Sequence, residues 1–174
     1  MSLSSLCGRL CGRISDRTAC LILGIGAFAL VVVGIVLGEA LRLNPCPLCI
    51  FQRVLYLAIG VGALLAAAGR PLRPWGLLIA LMAALGGIAA AGYQGWLQWM
   101  ADPALECGFG PPNLIEQSVE WLGERWPRLF LATGFCSSKE WELLGMSMAH
   151  WSLLVYVAYG AALVAVARRS LHQP

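Results

Sequence analysis

The sequence predicts an all-α membrane protein: a four-helix bundle with both termini in the cytoplasm and a short amphipathic helix in the second outward-facing loop. Three observations carry this expectation: the composition, four long windows without charge, and the distribution of arginines. Of 174 residues, 59% are hydrophobic and 12% are charged, against about 45–50% and 25% in soluble domains. The formal charge of +3 is then a matter of topology, and no basic patch points to nucleic acid.

The charge-free windows run over 18–38, 54–69, 74–101 and 143–167. A helix crossing about 30 Å of hydrocarbon needs about 20 residues, so the second window is too short as it stands. The first follows Arg9, Arg13 and Arg17, which suits a cleaved secretion signal as well as an anchor. Its apolar run outlasts the about 7–15 residues of a signal, and the following "LGEALRLNP" offers no small-x-small cleavage site. The first span is therefore expected to remain. Arg9, Arg13, Arg17, Arg70, Arg73, Arg168 and Arg169 fall on one side of the spans with only Asp16 opposing, while the other side is acidic. Basic residues flanking spans stay in the cytoplasm. The whole chain, 1–174, reads as one membrane domain whose connections at about 39–45 and 102–142 face outward.

The second span opens on "NPCPLCIFQR", Asn44 to Arg53. Asn44 suits a helix N-cap and Pro45 the first helical position, where a missing N–H costs nothing. A start there extends the span to about 46–69 and places Cys46 and Cys49 in its first turns, where the helix dipole favours a thiolate. Arg53 then lies one turn inside the helix, on the same face as Cys49 and not Cys46. A charge at that depth needs a partner, an interface or a function. An ordinary interfacial arginine is the plainer reading; the other is a guanidinium that favours a Cys49 thiolate and donates to a carbonyl oxygen of a membrane-dissolved ligand.

The third span, about 74–101, contains "AALGGIAAAG", which reads as close helix packing through small residues. Trp96, Trp99, Trp141 and Trp151 fall near outer span ends and Trp75 near an inner one, as interfacial tryptophans do. In the long loop, Asn113 with Glu116 forms a cap pattern, and Leu114, Ile115, Val119, Leu122 and Trp126 recur at helical spacing before Pro127. This predicts an amphipathic helix on the membrane surface, the alternative being a helix packed within a folded loop. Ser137 with Glu140 suggests a second helix start leading into the last span, about 143–167.

Seven cysteines sort by side. Cys7, Cys11 and Cys20 fall at the cytoplasmic end, where thiols stay reduced, and read as incidental small apolar residues. Cys46, Cys49, Cys107 and Cys136 fall outside. A zinc site would need two close-spaced pairs; Cys107 and Cys136 are 29 positions apart and His150 and His172 add no cluster, so no metal is expected. A structural staple is a second reading, since closing a loop from Cys107 to Cys136 would contribute about 3–4 kcal/mol. It leaves Cys46 and Cys49 unexplained. A CxxC closes too small a loop to staple much, but its redox behaviour is readily tuned, so a redox relay is the third reading.

Taken together, the four spans, "PCPLCIFQR", the paired cysteines of the long loop and "WELLGMSMAHW" before the last span resemble the DsbB disulfide-bond formation proteins of bacterial inner membranes. The resemblance covers nearly the whole chain. It implies a protein-disulfide oxidoreductase that reoxidises a periplasmic thioredoxin-fold dithiol protein, DsbA-like, and passes the electrons to membrane quinone. Ubiquinone is the expected acceptor and menaquinone the alternative. Carried over by residue, Cys107 would form the mixed disulfide with the partner, Cys136 would be its loop partner, and Cys46 would exchange with that pair. Cys49 would face the quinone with Arg53 in support. Some members carry a quinone-associated histidine near the outer end of the third span; here "AGYQGWLQWM" offers Gln94, which can hydrogen-bond a quinone oxygen but not act as an acid or base. Two other functions compete: a vitamin K epoxide reductase type of quinone-linked enzyme, in which the CxxC is expected late in the bundle, and a non-enzymatic membrane adaptor with structural disulfides.

Overall fold

The computed structural model describes residues 15–100, 114–139 and 141–172. Four helices long and apolar enough to cross a membrane dominate it: α1 (Asp16–Ala40), α2 (Pro47–Ala68), α3 (Arg73–Met100) and α6 (Met148–His172). Between α3 and α6 lie α4 (Leu114–Arg125), the single turn α5 (Pro127–Phe130), and a hairpin of β1 (Glu142–Leu143) and β2 (Met146–Ser147). The chain is thus an all-α membrane bundle. Helix α2 packs against both α1 and α3, and α6 packs mainly against α3.

Local chemistry sets the helix starts. Ser15 caps α1 by accepting the Thr18 N–H at 3.2 Å. The expected cap of α2 is displaced: Cys46, not Asn44, is the N-cap, and Pro47, not Pro45, takes the first helical positions. The reason lies in the alternation "PCP". A residue before proline is pushed out of the helical region, and Cys46 is extended at φ −82°, ψ 164°.

The last span also starts later than expected. Residues 142–147 form an antiparallel hairpin pairing Glu142 with Ser147 and Leu143 with Met146. Its turn residues, Leu144 and Gly145, both have positive φ, 55° and 76°, as a two-residue turn of this kind requires. Apolarity alone makes residues 143–147 read as the start of the last span. The helix start expected at Ser137 is absent too: no described residue between Phe130 and Met148 is helical, and Glu140 lies outside the described residues.

Close approach holds the bundle together. A Cβ on Gly76 would lie 2.5 Å from both Ala66 N and Gly62 O, and one on Gly62 would lie 2.7 Å from Gly76 O, so α2 and α3 meet backbone to backbone. Higher up, the ring of fully buried Tyr156 on α6 occupies the space above Gly87 on α3. Large side chains on the outside, such as Ile22, Ile25, Val32 and Met82, stay exposed, as suits a lipid-facing surface. At the end remote from Cys46, nearly buried Asp16 pairs with Arg73 at 3.6 Å.

The loop helix forms as expected and ends before Pro127; Asn113, its expected cap, lies outside the described residues. It leans on α2, burying Val119 and Gly123, while Leu114, Trp121 and Trp126 remain exposed. Its apolar stripe is therefore divided between the bundle and the outside.

Gly87→Val should displace Tyr156 and destabilise the bundle by about 1–3 kcal/mol, the usual cost of overpacking. Thermal unfolding in detergent checks this against Gly92→Val, where an added Cβ meets nothing within 4 Å and the loss should be much smaller.

Candidate functional site

Cys46 and Cys49 are both free thiols, and the sulfur of Cys46 caps its own helix by accepting the Cys49 N–H at 3.2 Å. Cys46 is only 1% exposed, whereas Cys49 is partly exposed. Cys136 is fully buried and disulfide-bonded. It packs in one small buried cluster with Cys46, Leu48 and Leu97, with Cys49 against it. The structure therefore brings three of the four expected cysteines together; Cys107 lies outside the described residues, as do Cys7 and Cys11. Cys20, buried near the opposite end, is free and remote from this cluster.

The segment carrying Cys136 is held against the CxxC at several points. The N–H groups of Thr133 and Gly134 both donate to the carbonyl of Pro45, at 2.9 and 3.1 Å, and the Thr133 hydroxyl donates to Asn44 Oδ1 at 3.4 Å. Gly134 sits so tightly on the Asn44 backbone that a Cβ there would collide with its carbonyl oxygen. From α3, Gln98 Nε2 donates to Ser138 O at 3.1 Å, and Ser147 in turn donates to Gln98 Oε1. Arg53, one turn below Cys49 as its spacing implies, donates from Nη1 to Leu129 O at 3.0 Å. The arginine thus has a backbone partner in the loop, which the sequence did not indicate.

Gln94 is nearly buried and belongs to the site. Its Nε2 donates to Cys49 Sγ at 3.2 Å and to Cys46 Sγ at 3.4 Å, while its Oε1 accepts from Gln52 Nε2 at 2.7 Å. Both its N–H bonds are thus directed at sulfur. Gln52, Gln98, Ser152 and Tyr56 also line or support the site, and sequence reading passed over them. A signal existed: uncharged polar residues inside charge-free spans are costly without partners, Gln94 and Gln98 share a helix face, and Gln52 lies three residues after Cys49.

These groups border a cavity of about 300 Å³, the low end for a small-molecule pocket, lined by α1, α2, α3, α6 and the loop. Cys46, Cys49, Gln52, Arg53 and Gln94 contribute to its polar wall, and Leu30, Val33, Gly34 and Leu37 to its apolar wall. Leu30 and Val33 also face the outside of the bundle, so the cavity borders the lipid side. Among the described residues no cluster could hold a metal ion.

A membrane bundle that sets a free dithiol beside a disulfide-bonded cysteine, with a cavity at its edge, defines the class of membrane thiol–disulfide oxidoreductases. Residues 16–166 match the family described as disulfide bond formation protein DsbB, and the chain belongs to that family. It is 51% identical over 161 residues to "Disulfide bond formation protein B" of Dechloromonas aromatica, covering 88% of this chain and 95% of that protein. A protein of the same name from Verminephrobacter eiseniae is 33% identical over 161 residues, 90% of this chain and 89% of the other. One from Nitrosomonas eutropha is 37% identical over 123 residues, 68% and 74%.

Gly134→Val should lift the Cys136 segment off Asn44 and Pro45. After full reduction, formation of a Cys46–Cys136 bridge under mild oxidation, followed by peptide mapping, should slow about tenfold or more, equivalent to about 1.4 kcal/mol in the barrier. An unchanged rate would mean that this docking does not present Cys136 to Cys46.

Proposed function

We propose that the protein reoxidises a DsbA-like periplasmic dithiol protein and passes the electrons to a membrane quinone. The observation that carries this reading is the shared cluster of Cys46 and Cys136, with Cys49 turned towards the cavity. Electrons would enter when a partner thiolate attacks the Cys107/Cys136 disulfide, with Cys107 taking the mixed disulfide. The disulfide of Cys46 and Cys49 would then be reduced by the loop pair, through a bond between Cys46 and Cys136. Each exchange breaks one S–S bond and forms another, and the departing sulfur leaves as a thiolate.

The dithiol at Cys46 and Cys49 returns to a disulfide by giving up two electrons and two protons, which a quinone bound in the cavity would accept. The residues fit such a group: Arg53 offers donors for a carbonyl oxygen, α1 offers an apolar wall, and the lipid side leaves room for a tail. Both cysteines border the cavity, but Cys49 is the more exposed of the two and shares its helix face with Arg53, as the i,i+4 relation suggests. A DsbA-like partner at about −120 mV is already a strong oxidant, so only a stronger acceptor can drain it. Ubiquinone is the favoured acceptor and menaquinone the alternative. The basic residues at the Asp16 end support cytoplasmic termini, which puts the cysteines on the periplasmic face of an inner membrane.

Turnover of a reduced DsbA-like protein with a panel of quinones tests the whole reading; absence of turnover would leave a non-enzymatic adaptor. Two variants test the parts. Anaerobic mixing of reduced protein with quinone should give a visible thiolate-to-quinone absorption in Cys46→Ser but not in Cys49→Ser, and its persistence in Cys49→Ser would sink the assignment. Arg53→Ala should lower kcat/KM for quinone about tenfold or more, about 1.4 kcal/mol, while thiol exchange with the partner continues. Unchanged quinone kinetics would remove Arg53 from the site.

A further inference from the structure

We propose that Tyr56, Ser152, Gln52 and Gln94 form a one-way hydrogen-bond relay that holds a fixed amide donor against the sulfurs of Cys46 and Cys49, with Gln52 as the positioning residue that sets its direction. The inference rests on the reading of Cys46 and Cys49 as the redox-active pair and assigns that pair a supporting shell.

The direction follows from counting hydrogens. Tyr56 OH lies 3.4 Å from Ser152 O and 3.3 Å from Ser152 Oγ. A carbonyl oxygen can only accept and the Ser152 hydroxyl hydrogen is spent on Gln52 Oε1, so Tyr56 is the donor at both contacts, its one hydrogen shared between them. Ser152 has a single hydroxyl hydrogen, and it goes to Gln52 Oε1. With its oxygen engaged, Gln52 turns its Nε2 to Gln94 Oε1 at 2.7 Å. The Gln94 oxygen is thereby occupied, and its NH₂ carries two hydrogens for two sulfurs, Cys49 Sγ at 3.2 Å and Cys46 Sγ at 3.4 Å. Every donor in the chain points towards sulfur. Bonds aligned in this way polarise one another, more so where no water competes.

A reversed Gln94 would set an oxygen lone pair against sulfur, which becomes most unfavourable when a sulfur carries negative charge. During exchange the charge moves between Cys46 and Cys49, and a donor shared by both meets it at either without rearrangement. A hydrogen bond to a thiolate is worth more than one to a disulfide sulfur, so the relay favours the reduced pair. Gln94 accordingly acts on sulfur, with neither N–H left over for a quinone oxygen in this state.

The test is equilibrium of the full-length protein, in detergent, with glutathione redox buffers, without quinone or partner protein. The state of the 46–49 segment is read by alkylation and peptide mass mapping. Gln94→Met should lower the equilibrium constant for reduction about tenfold, about 30 mV for a two-electron couple. Gln52→Met, which touches neither sulfur, should lower it in the same direction. The decisive measurement is the double variant: Gln52→Met should add nothing once Gln94 is Met, because it acts through Gln94. Tyr56→Phe, the mildest change, should give a smaller shift of the same sign should Gln52→Met fold poorly. Wild-type values in Gln52→Met or Tyr56→Phe, or an equal effect of Gln52→Met in both backgrounds, would overturn the relay. Because quinone and partner are omitted, loss of quinone turnover alone leaves this result intact, and a shifted equilibrium says nothing about which acceptor is used.

Discussion

Hydrocarbon offers no water to a polar side chain, so each one placed at bilayer depth must find its partner within the protein. This constraint shapes the half of the bundle that carries Cys46 and Cys49. Gln52, Gln94 and Ser152 come from α2, α3 and α6, and satisfying them fixes those three helices in register at one level. The same level is where fully buried Tyr156 donates to Gln52 O at 2.7 Å, a bond it reaches only because Gly87 leaves space for its ring. Tyr56 stacks on that ring at a centroid distance of 4.2 Å. Packing by small residues and hydrogen bonding by amides are therefore one arrangement, and both converge on the cysteines.

The two prolines of "PCP" perform a second task. Pro47 holds Cys46 out of the helix and lets its sulfur become the cap, so the thiol packs against Cys136 and Leu97 and not the lipid. Pro45 leaves its carbonyl free to accept two N–H groups of the opposite loop. The short stretch before α2 thus serves as the seat for the segment carrying Cys136, which reaches Cys46 in a cluster sealed by Leu48 and Leu97. Water is excluded where the two cysteines meet, which protects a thiolate from side reactions and strengthens each electrostatic interaction there.

Spans, helix count, the CxxC and the face shared by Cys49 and Arg53 were legible in the sequence, because they depend on local period and on total apolar length. What escaped depends on partners distant in the chain or on a single backbone angle. The displaced cap follows from a rule about the residue before proline, and weighing Pro47 as well as Pro45 would have found it. The hairpin at Leu144 and Gly145 was hidden because a two-residue turn leaves no mark on hydropathy. Gln52 and Ser152 are 100 positions apart, so no window joins them, although their polarity inside a span was visible. The Arg53 bond to Leu129 could not have been read at all, since a backbone carbonyl has no sequence signature.

That last bond changes what Arg53 means. Spacing places the guanidinium beside Cys49, and burial in a span argues that it has work there. The structure adds that one of its donors holds Leu129, in the loop that also carries Cys136. A guanidinium has five N–H donors in a rigid fork, so this bond leaves capacity towards the cavity it lines. Lysine could not divide itself in this way: its ammonium is a compact point charge on a flexible stem. The arginine therefore joins the cavity wall to the loop by geometry as well as by charge. The helix dipole at the start of α2 already supplies positive potential near the thiols; what it cannot supply is a planar fork able to hold a loop carbonyl and face the cavity at once.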